Sequence, residues 1–196
     1  MNLPTKLTIL RIILAITICI LLMFPFDAIG FSFPVIRAGV DIDVKYVIAG
    51  IIFIIASFTD FLDGYLARRN KQVTDLGKML DAIADKVLVN PILIIFAAEG
   101  LISPIVPVVV VIRDIVVNAI KMEAASKGKV VAAISSGKIK TASLMIGMVL
   151  LFFGNVPFVY INIRVDLLFV YFATIMSLVS MVQYYLVNKK IFVTEK

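Results

Sequence analysis

The chain contains no histidine and no tryptophan, and its only cysteine is Cys19. Without histidine, neither His-based acid–base catalysis nor His metal ligation is available. A single cysteine cannot form a disulfide framework within the chain. Charged residues make up only 16% of the sequence. The polar chemistry of this protein therefore has to come from a small set of carboxylates, lysines and arginines.

What the chain has in excess is apolar residues. They account for 62% of its 196 residues, and the mean hydropathy is +1.09, whereas a soluble domain is about 45–50% apolar. This excess predicts a polytopic membrane protein with a single domain over residues 1–196. The net charge of +6 does not indicate nucleic-acid binding, because the basic residues form short clusters between apolar runs, as membrane topology requires.

The apolar runs predict an all-α fold, a bundle of six transmembrane helices, because backbone polar groups within lipid must be satisfied internally. The first run is longer than the core of a signal peptide and lacks a small-residue cleavage site, so we expect it to be a retained span. Residues 26–43 are predicted to form a loop. The six predicted spans are 7–26, 44–69, 77–99, 103–125, 135–154 and 166–186.

Most basic residues fall on one side of these spans. The opposite loops offer only Arg37, Lys45 and Arg164. By the positive-inside rule, both termini are predicted to be cytoplasmic. The predicted cytoplasmic side, which is rich in basic residues, contains Lys6, Arg11, Arg68, Arg69, Lys71, Lys78, Lys121, Lys127, Lys129, Lys138, Lys140, Lys189, Lys190 and Lys196.

Four aspartates stand out because their spacing is helical. Asp60 and Asp63 would share one face of the second predicted helix, and Asp81 and Asp85 one face of the third. If the two helices form a hairpin that turns near Gln72, a rise of about 1.5 Å per residue places the two pairs at similar depth, facing each other. Converging carboxylates repel one another unless a cation lies between them. Their oxygens are the ligands that hard divalent cations prefer.

The same stretch matches the pattern D-x₂-D-G-x₂-A-R-x₈-G-x₃-D-x₃-D, and it resembles the signature of the CDP-alcohol phosphatidyltransferases. Eight positions agree at fixed spacing, which makes the resemblance specific although it covers only a small part of the chain. The matching residues are Asp60, Asp63, Gly64, Ala67, Arg68, Gly77, Asp81 and Asp85.

The resemblance implies a nucleotide-activated lipid substrate, CDP-diacylglycerol, and two Mg²⁺ or Mn²⁺ ions that neutralise its pyrophosphate. Asp60, Asp63 and Asp81 are the expected metal ligands, with Asp85 shared. Asp85 is also the expected general base, which takes a proton from the acceptor hydroxyl as that oxygen attacks the β-phosphorus and CMP leaves. The family also implies a homodimer.

Other signature residues are expected to bind CDP-diacylglycerol together with Asp63. Gly64 and Ala67 leave room for the cytidine ring, and Arg68 is suited to a phosphate. Gly77 opens the third helix. Close helix packing is the alternative explanation for the small residues.

Three further stretches resemble one branch of the family, the bacterial phosphatidylglycerophosphate synthases: N-L-P-T-K-L-T-I-L-R at residues 2–11, D-A-I-A-D-K-V-L-V at 81–89 and G-K-I-K-T at 137–141. Thr5, in the first stretch, is assigned to CDP-diacylglycerol binding. Arg113, Lys138 and Lys140 are predicted to bind the phosphate of an acceptor such as glycerol 3-phosphate, although the two lysines are also explained as topology charges. Asp114 adjoins Arg113, and because adjacent helical residues do not face each other, we expect the two to have different partners.

The sequence thus predicts an integral-membrane, metal-dependent enzyme that transfers the phosphatidyl group from CDP-diacylglycerol to glycerol 3-phosphate. Three alternatives stay open: the same chemistry with inositol phosphate, serine or phosphatidylglycerol as acceptor; a divalent-cation transporter that uses the aspartates as its ion site; and a structural membrane protein without activity.

Overall fold

A computed structural model describes residues 3–69, 75–128, 131–132 and 134–193. For residues 3–4, 60–69, 75–76, 78 and 190–193 the description is confined to the backbone. Within the described residues lie six α-helices, and the all-α prediction is confirmed. They are α1 (Leu3–Met23), α2 (Val44–Arg69), α3 (Asp75–Ala98), α4 (Ile105–Ser126), α5 (Ser135–Phe152) and α6 (Val165–Val193).

Two segments of the described helices, Thr5–Met23 and Val165–Lys189, are long and apolar enough to cross a membrane, while the apolar part of α2, Val44–Thr59, is shorter. Large apolar side chains are exposed along the helix surfaces, among them Ile13, Ile16 and Ile20 of α1. An exposed apolar surface of this kind is typical of a protein that contacts lipid or other apolar partners. The six-span arrangement stays a prediction.

The segment predicted as a loop has structure of its own. A 3₁₀ helix spans Phe26–Ile29. Strands β1 (Val35–Arg37) and β2 (Asp41–Asp43) then pair in antiparallel fashion, with Ile36 opposite Ile42. The turn between them contains Gly39 at φ +77°, a backbone conformation that glycine adopts without a Cβ penalty.

Helices α1 and α6 make most of the contacts between helices in the described part of the chain. Helix α1 packs extensively against both α2 and α3, whereas α2 and α3 make few direct contacts in the part of the chain that is described. Helix α6 packs against α4 and most extensively against α5. The α5–α6 contact is close at buried Gly147, where a Cβ would lie 2.7 Å from Val170 Cγ2 and 3.1 Å from the Val170 backbone nitrogen.

Three buried phenylalanines connect these two groups of helices. The ring centroid of Phe152, on α5, lies 5.5 Å from that of Phe53 on α2 and 4.8 Å from that of Phe96 on α3. Each has no exposed surface, so the three contribute large apolar areas and favourable ring contacts to one core. The core fixes α2, α3 and α5 against each other near the C-terminal ends of α3 and α5.

Buried polar groups are concentrated toward the two ends of the bundle. At one end, Asn155 in the α5–α6 connection donates to the carbonyl of Ile163 at 2.7 Å and accepts from the Asp166 amide at 3.1 Å. Arg164 donates to both oxygens of the buried Asp166 carboxylate. The other half of the bundle contains the first turns of α1, α3 and α5 and the last turns of α2, α4 and α6, and the predicted site residues lie in this half.

Candidate functional site: an aspartate and cation cluster

The first two signature aspartates lie in the C-terminal half of α2. Asp60 and Asp63 are three positions apart on continuous helix, so their Cα atoms lie on the same side of α2. Gly64, Ala67 and Arg68 follow on the same helix. The side chains of these residues lie outside the described part, and their predicted roles stay predictions, as does the direct facing of the two acid pairs.

The second pair, Asp81 and Asp85, lies one turn apart on α3 with both side chains exposed. Gly77 is one turn earlier. Asp81 Oδ1 accepts a hydrogen bond from Arg11 Nη1 at 3.1 Å. Arg11 is completely buried, whereas the Asp81 side chain is 55% exposed. A buried guanidinium on α1 therefore holds one of the signature carboxylates, while the carboxylate itself stays accessible to ligands.

Helix α1 contributes a polar face to this end of the bundle. Thr5, Thr8 and Arg11 are all buried and recur every three residues, which places them on one side of the helix. The structure thus places Thr5, a predicted substrate residue, on the same face as the arginine that binds Asp81. Sequence reasoning treated Arg11 as a topology charge. The missed signal was its position within an apolar run, where a charge needs a partner or a function.

Arg113, Asp114 and Lys140 form an ion cluster between α4 and α5. Asp114 Oδ1 accepts from Arg113 Nη1 at 3.0 Å and from Lys140 Nζ at 3.2 Å. The expectation that Arg113 and Asp114 have different partners was therefore wrong. Their Cβ atoms diverge, as expected of neighbours on a helix, but the long arginine side chain brings its guanidinium back to the adjacent carboxylate.

Helix α6 also contacts Arg113. Arg113 Nε donates to Ser180 Oγ at 3.0 Å, and its guanidinium carbon lies 5.6 Å from the centroid of the Tyr184 ring. Gly137 leaves space for this arrangement, because a Cβ there would lie 3.1 Å from Arg113 Nη2. Asp114, Ser180 and Tyr184 were not predicted as site residues. Ser180 and Tyr184 carry no sequence signal that separates them from the other residues of α6.

A small cleft of about 10 Å³, room for about one water molecule, joins this cluster to the signature motif. Asp85 of α3 lines it together with Asp114 of α4 and Lys140 of α5. Lys140 is buried, whereas Lys138 is exposed and does not line this cleft. The predicted general base and two of the three predicted phosphate-binding cations thus lie in one region. The complete lining consists of Asp85, Val89, Asp114, Lys140, Thr141, Leu144 and Met145.

Comparison with known proteins shows the family. A family model described as CDP-alcohol phosphatidyltransferase matches residues 1–187. The chain belongs to this family. It is 36% identical over 188 residues to a protein of Bacillus subtilis (strain 168) named CDP-diacylglycerol–glycerol-3-phosphate 3-phosphatidyltransferase, with 95% of each chain covered. A Haemophilus influenzae protein of the same name is 35% identical over 194 residues, covering 96% of this chain and 94% of the relative.

The CDP-alcohol phosphatidyltransferase chain also has an apolar groove beside the cleft. The groove lies between α2 and α5 and has a volume of about 430 Å³. Met145 lines both the groove and the cleft, so an apolar ligand in the groove would reach the polar site. The groove is lined by Phe53, Ile54, Ser57, Phe58, Met145, Ile146, Val149 and Leu150.

The donor set of the signature fits a hard divalent cation. Asp81 and Asp85 present exposed carboxylates from successive turns of α3, and carboxylate oxygens are the preferred ligands of Mg²⁺ and Mn²⁺. Among the described side chains, no group of three or more Asp, Glu, Cys or His is placed to hold a metal ion. The complete set would need Asp60 and Asp63, whose side chains lie outside the description.

Proposed function

We propose that the chain transfers the phosphatidyl group of CDP-diacylglycerol to sn-glycerol 3-phosphate, forming phosphatidylglycerol phosphate and CMP. The observation that carries the proposal is the cleft shared by Asp85, Asp114 and Lys140, with Arg113 bound to the same Asp114 oxygen. An acceptor that carries both a hydroxyl and a phosphate needs a base and cations within one molecule's length. The relatives' names state the same pair of substrates.

In the proposed reaction the acceptor phosphate binds Arg113 and Lys140, with Lys138 at the mouth of the site. This leaves the acceptor hydroxyl free to donate to Asp85, which takes the proton as the oxygen attacks the β-phosphorus of CDP-diacylglycerol. The new bond is between the acceptor oxygen and the β-phosphorus. The bond between the β-phosphorus and the oxygen that bridges the two phosphates breaks, and CMP leaves with that oxygen. A general base has to lie within hydrogen-bond reach of the proton it removes, and the exposed Asp85 side chain is accessible to the acceptor.

Asp60, Asp63, Asp81 and Asp85 would hold the Mg²⁺ or Mn²⁺ ions, which supply charge neutralisation for the pyrophosphate when bound. Gly64, Ala67, Arg68, Gly77 and Thr5 would bind the cytidine and phosphates of the lipid substrate. The groove between α2 and α5 is suited to an acyl chain, because apolar side chains form nearly all of its lining.

The proposed enzyme is a multi-pass protein of the cell membrane with six spans, both termini in the cytoplasm and its active site facing the cytoplasm. The placement is supported by the basic residues in the half of the bundle that contains the predicted site, which include Lys121 and Lys138 as well as Arg113 and Lys140. Glycerol 3-phosphate and metal ions would then reach the cleft from the cytosol, while CDP-diacylglycerol enters from the membrane leaflet. We also propose a homodimer, on the basis of family membership alone.

The test is CMP release by purified protein in mixed micelles, with glycerol 3-phosphate, inositol phosphate, serine and phosphatidylglycerol offered in turn, and with metal chelated and then restored. We expect turnover with glycerol 3-phosphate only when Mg²⁺ or Mn²⁺ is present. Asp85→Asn is expected to abolish turnover but retain nucleotide binding. Asp41→Asn, an exposed acid on the β-hairpin, is the matched control and should retain activity. Turnover with serine but not with glycerol 3-phosphate would overturn the proposal.

A further inference from the structure

We propose that Asp114 is a positioning residue for the acceptor phosphate: its carboxylate holds Arg113 and Lys140 at the spacing at which one phosphate can accept from both. This inference rests on the proposed function. It concerns a residue that lies outside the signature motif, on α4, and that reaches the acceptor only through the two cations.

The first argument is that both cations use the same atom. Arg113 Nη1 and Lys140 Nζ donate to Asp114 Oδ1 at 3.0 and 3.2 Å. Two donors on one oxygen are held close together, although their like charges repel each other. Asp114 therefore fixes the separation between the two donors as well as their charge balance.

The second argument is burial. The side chains of Arg113, Asp114 and Lys140 are 12%, 13% and 6% exposed. Charged groups with so little access to water require partners. Ser180 and Tyr184 support the guanidinium of Arg113 from α6, but among the described side-chain hydrogen bonds the Lys140 ammonium is bound by Asp114. Without the carboxylate, Lys140 would be drawn toward water and away from the cleft.

The third argument is that the cluster faces the reaction site. Asp114 and Lys140 line the cleft together with Asp85, whereas an ion cluster that only joined α4 to α5 would not need to border the predicted base. The cluster of Arg113, Asp114 and Lys140 carries one carboxylate and two cations and is therefore net positive, while Asp85 adds a negative charge on the other side of the cleft. A phosphomonoester suits the cluster better than an uncharged alcohol, since charge-assisted bonds to phosphate are the strong ones.

The inference predicts a selective defect in Asp114→Asn, which keeps the side-chain shape and one acceptor oxygen but removes the charge. We expect the KM for glycerol 3-phosphate to rise by about tenfold or more, because bonds between charged partners are typically worth that factor. The kcat at saturating acceptor and the KM for CDP-diacylglycerol are expected to change by less than about threefold. Asp114→Glu, which restores the charge, should recover part of the KM defect.

Purified wild-type and variant proteins are compared by CMP release across glycerol 3-phosphate concentrations, and by calorimetric titration with glycerol 3-phosphate in the absence of CDP-diacylglycerol. A lower KM in Asp114→Asn would show that the carboxylate merely competes with the phosphate, and would overturn the inference. A variant in which the KM values for both substrates rise, and kcat and thermal stability fall, to similar extents would also overturn the inference, because it would show a purely structural role. If the wild-type protein does not use glycerol 3-phosphate, the proposed function fails. If the wild-type protein uses it and the KM for glycerol 3-phosphate is the same in Asp114→Asn, only the inference about Asp114 fails.

Discussion

Lys138 and Lys140 lie two positions apart in the first turns of α5, and both are predicted to bind the acceptor phosphate, yet their environments differ. Lys140 is 6% exposed, donates to Asp114 Oδ1 at 3.2 Å and lines the cleft with Asp85. Lys138 is exposed to solvent. Replacing each in turn by methionine removes the charge and keeps most of the apolar stem. Both variants lose one positive charge, so a difference between them reports the location of that charge.

The expected magnitudes follow from burial. A hydrogen bond to a charged group is worth about 1.5–3 kcal/mol, and each 1.4 kcal/mol is a factor of ten in affinity. If Lys140 binds the phosphate, Lys140→Met should raise the KM for glycerol 3-phosphate by about 10- to 150-fold. An exposed charge typically contributes about 1 kcal/mol or less, so Lys138→Met should raise it by about fivefold at most.

The assay is CMP release at saturating CDP-diacylglycerol, with glycerol 3-phosphate varied over several decades. Thermal unfolding of each variant is measured first, and we expect little change in Lys140→Met because Asp114 retains its bond to Arg113. Equal KM values for the two variants, or a larger increase in Lys138→Met, would refute the argument from burial.

Two further predictions concern stability. With metal chelated, Asp81→Asn should be less stable than the wild-type protein by about 1 kcal/mol, because it weakens the bond to buried Arg11, and thermal unfolding measures the difference; unchanged stability would contradict it. Gly147→Ala should destabilise the chain by about 1–3 kcal/mol, since the added Cβ would meet α6 at 2.7 Å. Adding Val170→Ala should recover only part of this loss, because the Val170 backbone nitrogen, 3.1 Å from that Cβ, remains; full recovery would contradict the close backbone approach.

The sequence predicted the helices well because each apolar run is long and bounded by polar residues. Predicted residues 44–69 match α2 (Val44–Arg69), and the other helices begin or end within a few residues of their runs, except that α6 continues past residue 186 to Val193. The β-hairpin in 26–43 was missed because each strand has only three residues, too few for an alternating pattern to stand out from a glycine- and proline-containing segment.

Candidate site residues could be singled out where fixed spacing carries the information, but not where contacts between distant residues do. The signature aspartates were chosen from their intervals alone, and their roles stay predictions. The bond between Arg11 and Asp81 joins residues 70 positions apart, and that between Arg113 and Ser180 joins residues 67 positions apart. Neither contact is available from periodicity. The environments of Lys138 and Lys140 also depend on how α5 is rotated about its axis, which packing against α6 decides.

The position of α1 between α2 and α3 has a consequence for how the protein is made. In the part of the chain that the structure describes, the two helices that carry the aspartates make far more contact with α1 than with each other. Helix α1, which leaves the ribosome first, must therefore stay close to α2 until α3 has been synthesised, since Arg11 can contact Asp81 only then. A fragment that lacks α1 would keep every signature aspartate and still be unable to assemble the site, and supplying α1 as a separate peptide is the corresponding rescue.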